Sequence, residues 1–194
     1  MTVPFFLASP VGRVVFKVSV VMFVLGELQQ VLRVRRRSLP GNIRAEGVFR
    51  AIFFAGILAL PLCQWLVPWA VIGGPVIFVI GTVIGWLGLL LRWWSFARLG
   101  RFFTTVVKAS ADQPIVDWGP YRWVRHPSYT GLIVVFLGSG LMLGNVAGVV
   151  MSVVLIVVAI VYRLRDEERA LVKARGEAYL DYAKGRARLL PFVW

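Results

Sequence analysis

Two long stretches of this chain contain no charged side chain: positions 51–91, 41 residues, and positions 128–162, 35 residues. A helix rising about 1.5 Å per residue needs roughly 20 apolar residues to cross the hydrocarbon of a bilayer, so each stretch holds two spans. The predicted breaks lie at "PWAVIGGP" (68–75) and at Gly144-Asn145, where turn chemistry interrupts the apolar pattern. A weaker span is expected from about Val14 to Leu32, where Lys17 and Glu27 interrupt the pattern. The expected fold is therefore all-α: an integral membrane helical bundle of about five transmembrane helices. From Arg163 onward, charged positions alternate with Leu164, Leu171, Leu180 and Ala183, which predicts an amphipathic helix continuing out of the last span on the cytoplasmic side. Residues 1–194 read as one membrane domain, with three spans in 1–97 and the last hairpin and C-terminal helix in 98–194.

Composition agrees, with 59% hydrophobic residues and no linker-like segment. The N-terminus lacks the basic region, short apolar core and small-residue cleavage site of a signal peptide, so the first span is expected to remain. Cys63 stands alone, which excludes an intrachain disulfide or a cysteine metal site, and no metal is expected. The net charge of +13 could suggest nucleic acid, but its placement argues for membrane lipids. Six basic residues lie between spans one and two, six from Arg92 to Arg125 and eight from Arg163 onward, with only Arg13 and Lys17 elsewhere. With five spans these groups share one face, which the positive-inside rule makes cytoplasmic, leaving the N-terminus outside. The opposite face has turns of only a few residues, so chemistry is expected on the cytoplasmic side.

There the chain carries a dense polar stretch, "GPYRWVRHPSYTG" (119–131), which includes the only histidine. Pro127 disfavours helical geometry at His126 and suits the first turn of the following helix, so His126 is expected at the helix entrance. Ser128 is a candidate cap, and the helix N-terminus offers unpaired N–H groups suited to a carboxylate or phosphate. Tyr121, Trp123 and Tyr129 offer flat faces, although aromatic residues at a bilayer interface also serve as anchors. Beyond the second apolar stretch, Arg163 and Glu167 are spaced as an i, i+4 pair. A helical hairpin brings its two ends together, so this pair is expected beside His126–Tyr129.

These motifs resemble the isoprenylcysteine carboxyl methyltransferase family of membrane enzymes. The resemblance covers about Gln113 to Phe192 and rests on three ordered elements: Arg-His-Pro-x-Tyr-x-Gly (125–131), Arg-x-x-x-Glu-Glu (163–168) and Gly-Glu-x-Tyr-x-x-Tyr (176–182). It implies an S-adenosylmethionine site facing the cytoplasm between the last two spans, with S-adenosylhomocysteine as product. The lipophilic acceptor, a small molecule or a prenylated protein, would enter from the bilayer. By position it implies cofactor contacts at Gln113, Pro114, Ile115, Val116, Tyr121, His126, Pro127, Ser128, Tyr129 and Glu167. It implies a substrate-binding arginine at Arg163, with Arg163 and Glu167 as the catalytic pair. "QPIVDWG" departs from the family's usual pattern, so contacts there are expected through the backbone. The implied membrane is the cell membrane in a prokaryote or the endoplasmic reticulum in a eukaryote.

The chemistry suits these residues. A carboxylate can attack a sulfonium methyl group without a general base, leaving the protein to orient groups and place charge. Arg163 is suited to a substrate carboxylate through paired hydrogen bonds, and Glu167 to the cofactor's ammonium or to Arg163. Alternatives are methylation of a phospholipid or other amine, an NADPH-dependent sterol-type membrane reductase, and a non-enzymatic lipid-binding protein. Gly138-Ser139-Gly140 lies within a span with no strand before it, so it is not a dinucleotide fingerprint. Gly81-x-x-x-Gly85 and Gly140-x-x-x-Gly144 are better read as helix packing.

Overall fold

The structure is a computed structural model that describes residues 4–35, 43–100 and 115–190. Its helices are α1 (Phe5–Ala8), α2 (Pro10–Arg35), α3 (Ile43–Leu66), α4 (Pro75–Leu99), α5 (Pro127–Leu143), α6 (Val146–Arg175) and α7 (Glu177–Ala183). Single 3-10 turns occupy Pro68–Ala70 and Gly119–Arg122. Three of these helices, α3, α4 and α6, are long and apolar enough to cross a membrane, and α5 is a shorter apolar helix of 17 residues. The predicted hairpin breaks fall where the glycines and prolines place them. Pro68 opens a 3-10 turn, and Gly144 takes a left-handed conformation (φ 69°) that ends α5. The C-terminal amphipathic helix begins as expected, because α6 runs unbroken past Arg163 to Arg175. It then stops at Gly176 (φ 52°), and α7 is a separate short helix.

Helices in lipid associate through close packing and internal hydrogen bonds rather than through apolar burial from water. The α4–α5 contact shows the first. A Cβ added at Gly138 would lie 2.3 Å from the Gly85 nitrogen, and one at Gly131 would lie 2.7 Å from the Gly88 carbonyl oxygen. No side chain fits there, so the two backbones meet directly. The glycine repeat at 81 and 85 is thus a packing surface, as expected. Gly140 packs against Val149, whereas Gly144 serves the turn.

The second device lies at the hairpin turns. Asn145, 1% exposed, caps α6 by accepting from the Gly148 N–H and donates to the carbonyls of Cys63 and Val67 at 3.2 and 2.9 Å. The Ile72 N–H donates to the Gly144 carbonyl, joining the two turns. Backbone groups that have no water available are satisfied in this way. Asn145→Ala removes a cap and two buried bonds, an expected loss of about 2 kcal/mol. For a chain of this size that lowers the melting temperature by roughly 4–8 °C, measurable by thermal unfolding of the purified protein in detergent.

The buried core is Leu132, Phe136, Ile156, Ile160, Leu164 and Leu189, with Phe53 edge-on to Phe136. Outward-facing tryptophans mark both ends: Trp65 and Trp69 at the α3–α4 turn, and Trp94, Trp118 and Trp123 at the other end. Such belts suit the two interfaces of a bilayer. Two residues before Trp94 of the second belt, Arg92 of α4 is buried and paired with Glu27 of α2 through Nε and Nη2, the latter at 2.9 Å. Its Nη1 donates to the Ser128 carbonyl at 2.8 Å. The two charges that weaken the span-one pattern and edge the α4 pattern thus satisfy each other, and Arg92 fixes the first turn of α5.

Candidate functional site

The polar site forms where α5 begins and α6 leaves the bundle. Gly119 (φ 64°) turns the chain into the 3-10 segment, and His126 is the N-cap residue of α5 with Pro127 in its first turn. That entrance is as predicted, but two details differ. Ser128 does not cap the helix: the cap position is His126 and no side chain supplies the bond. The carbonyl of Ser128 instead receives Arg92. The supply of unpaired N–H groups is also smaller than expected, because Pro127 has none and the Tyr129 and Thr130 N–H groups donate to the His126 carbonyl.

Arg163 and Glu167 do lie beside His126–Tyr129, as the hairpin geometry predicts. They are not joined to each other as a direct i, i+4 ion pair. The Tyr129 hydroxyl stands between them, accepting from Arg163 Nε at 2.6 Å and donating to Glu167 Oε2 at 2.9 Å. Arg163 Nη1 is held instead by Glu46 Oε2, from the first turn of α3, and its guanidinium lies 4.7 Å from the centre of the Phe49 ring. The physical reason is reach: two side chains one turn apart on α6 both point toward the α5 helix, and Tyr129 fills the space between them. Arg163 is only 8% exposed, so its charge needs these partners.

A second cluster adjoins the first. His126 is buried, with Nδ1 3.9 Å from Glu167 Oε1 and Nε2 3.5 Å from Glu168 Oε1. Glu168 also takes Arg125 at 2.7 Å and Arg188 at 3.0 Å. The segment after α7 closes over this cluster. Val124 and Ala187 form a parallel bridge, the Arg125 and His126 N–H groups donate to the carbonyls of Ala187 and Arg188, and Thr130 Oγ1 donates to the Leu189 carbonyl at 2.6 Å. Among the described residues, Arg125 Nε, His126 Nε2 and the Tyr179 hydroxyl are buried without a hydrogen-bond partner. Arg186 Nε is buried and unpaired as well, and buried polar groups are rarely left so, which makes this end of the hairpin the candidate site for a polar ligand.

Tyr121 is buried, and its hydroxyl faces the Ser95 carbonyl of α4 at 3.5 Å, while its own carbonyl accepts from Tyr182. Burial first, and then the neighbouring Glu167 carboxylate, raise its ionisation well above the ordinary tyrosine value, and burial pushes Tyr179 up to about 12. Both remain hydroxyl donors at any physiological pH. Trp123 packs edge-on to Trp94 and is 56% exposed, which fits an interfacial anchor rather than a wall of the site. Val116 is buried and Ile115 half-buried ahead of Gly119, and among the described residues no hydrogen bond joins them to the cluster. Gln113 and Pro114 lie outside the described residues. Among the described residues no group of acidic, histidine or cysteine side chains could hold a metal.

Glu46, Arg125, Glu168, Tyr179 and Arg188 also belong to these clusters, and the sequence reading did not assign them. Glu168 and Tyr179 fall inside the motifs Arg-x-x-x-Glu-Glu and Gly-Glu-x-Tyr-x-x-Tyr, so their positions carried a signal. Glu46 is the one acidic residue in the basic stretch between the first two spans, a weaker sign.

Fold and site together define an all-α integral membrane protein with a buried cation and carboxylate site at one end of its last hairpin. Residues 79–173 match the model of the Isoprenylcysteine carboxyl methyltransferase (ICMT) family, and over these residues the resemblance read from the motifs is borne out. The chain is 32% identical over 115 residues to protein-S-isoprenylcysteine O-methyltransferase A of Arabidopsis thaliana, covering 58% of each. It is 36% identical over 118 residues to protein-S-isoprenylcysteine O-methyltransferase of Mus musculus, covering 58% of this chain and 41% of that one. The chain spans about half the length of the curated relatives it matches. The solved structure of the eukaryotic intramembrane Ras methyltransferase ICMT shares the fold, with a TM-score of 0.68 at 20% identity over 97% of this chain and 70% of that one.

Proposed function

We propose that this protein transfers a methyl group from S-adenosylmethionine to the carboxylate of an isoprenylated cysteine or a similar lipophilic acid. The observation that carries this reading is that Arg163, buried at the membrane edge, already binds a carboxylate, that of Glu46, while Tyr129 links it to Glu167. The names of the relatives, protein-S-isoprenylcysteine O-methyltransferases, support the substrate class.

The residues present fit the cofactor. The unpaired buried atoms of Arg125, His126 and Tyr179 offer polar contacts, and Glu167, which accepts from Tyr129 on Oε2, turns Oε1 toward His126, where a carboxylate suits an ammonium group. Bound S-adenosylmethionine supplies a methyl group that a carboxylate oxygen can take without a proton being removed. The chain's own tasks are then to hold the acceptor carboxylate through Arg163, to fix Arg163 and Glu167 through Tyr129, and to keep water out with the Leu189 segment. Low local polarity at this depth strengthens each contact. The site faces the cytoplasm in this reading, because the three basic groups share its side of the membrane.

Calorimetry of the purified protein is expected to show binding of S-adenosylhomocysteine and none of NADPH. The reverse result would assign the site to a reductase, and absence of both would leave a lipid-binding protein.

A further inference from the structure

We infer that Glu46 is an internal carboxylate that holds Arg163 while no acceptor is bound and yields its place to the acceptor's carboxylate; this rests on the carboxyl-methylating reading above. Glu46 comes from α3, outside the residues 79–173 that carry the family match, and reaches Arg163 across 117 positions of sequence. It presents to the guanidinium the same chemical group that the acceptor would present. An acceptor carboxylate seated on the Nη1 side of the guanidinium competes with Glu46 for the position that Glu46 Oε2 now holds.

Two features make Glu46 displaceable rather than fixed. It engages Arg163 through one oxygen, Oε2, while its other oxygen, Oε1, accepts from Arg50 Nε at 2.8 Å. Arg50 is on the same helix and its side chain is 61% exposed, so a displaced Glu46 keeps a cationic partner and gains access to water. The first turn of α3 also favours a negative charge there, whichever arginine it faces. The Glu27–Arg92 pair shows the contrast. It is bidentate, and Arg92 carries no competing carboxylate task. Phe49, one turn from Glu46, lies against Arg163 and keeps the guanidinium in place when the carboxylate leaves.

An internal competitor lowers apparent affinity by the fraction of time that it leaves the arginine available. Removing its charge should therefore tighten binding of acids and of nothing else. The test uses the full chain in detergent or lipid discs. Its probes are an S-isoprenylated N-acetylcysteine, the corresponding primary amide, and S-adenosylhomocysteine as a check on folding. In Glu46→Gln the acid is expected to bind about five- to tenfold more tightly, with the amide and S-adenosylhomocysteine unchanged. Glu46→Asp, which keeps the charge but shortens the reach, should fall between parent and Gln variant, and it keeps the test alive where the Gln variant is poorly folded.

Unchanged or weaker acid binding in both variants, or equal tightening of acid and amide, overturns the inference. So does loss of S-adenosylhomocysteine binding in both, which makes Glu46 a structural residue. These outcomes leave the carboxyl-methylating reading standing as long as the parent binds the acid. A parent that binds S-adenosylhomocysteine but not the acid removes that reading and this inference together.

Discussion

Arg163→Ala is expected to lower carboxyl methylation by about a thousandfold, roughly 4 kcal/mol, while affinity for S-adenosylhomocysteine falls less than it does in Glu167→Ala. The substitution removes the cation that donates to the Tyr129 hydroxyl and leaves that hydroxyl and Glu46 without the guanidinium that joins them. Lysine is a poor replacement, since a single ammonium cannot reproduce the planar set of donors that contacts Tyr129 and a carboxylate together. Glu167 sits on the other side of Tyr129 and faces His126, so its loss should register first in cofactor binding. Turnover of a labelled methyl donor and calorimetry on the same preparations separate the two effects. Equal losses of cofactor affinity in both variants, or normal turnover in the alanine variant, would contradict the assignment.

The second large effect concerns Arg92. Arg92→Leu leaves the Glu27 carboxylate without its partner near the membrane edge, at an expected cost of about 3 kcal/mol. In a protein of this size the melting temperature should drop by roughly 6–12 °C. The double variant Glu27→Leu, Arg92→Leu removes both charges and should recover most of that loss, because a matched apolar pair needs no compensation. The Ser128 carbonyl still loses its donor in the double variant, so cofactor affinity should remain reduced after stability returns. Thermal unfolding and cofactor titration of the three proteins give both readings. An Arg92→Leu variant as stable as the parent would show that the pair contributes nothing.

Much of this arrangement was legible in the sequence, for reasons that are physical. Uncharged runs of 41 and 35 residues suit two apolar helices each, and Pro68 and Gly144 mark turns because one opens a 3-10 turn and the other adopts a left-handed backbone, whereas Pro61 stays inside α3. The meeting of His126–Tyr129 with Arg163 and Glu167 follows from the length of the second hairpin. Contacts between distant parts of the chain carried no such signal. Glu46 and Arg163 are 117 positions apart, and Glu27 and Arg92 are 65 apart, so neither pair is announced by spacing. The capping role expected of Ser128 and the direct contact within the Arg163–Glu167 pair, which is otherwise where expected, were missed for a related reason. Local rules for caps and i, i+4 pairs assume a solvated helix, whereas here Arg92 and Tyr129 from neighbouring helices compete for the same groups.

The segment that closes the site also orders events in time. Leu189 accepts from Thr130 across 59 positions, and the Ala187 and Arg188 carbonyls receive the backbone at Arg125 and His126. During synthesis α5 and α6 are complete before any of these carbonyls exists. Synthesis of the hairpin and closure of the polar cluster are therefore separate stages in the life of each molecule. The polar cluster is complete only once the segment around Leu189 has folded back over His126.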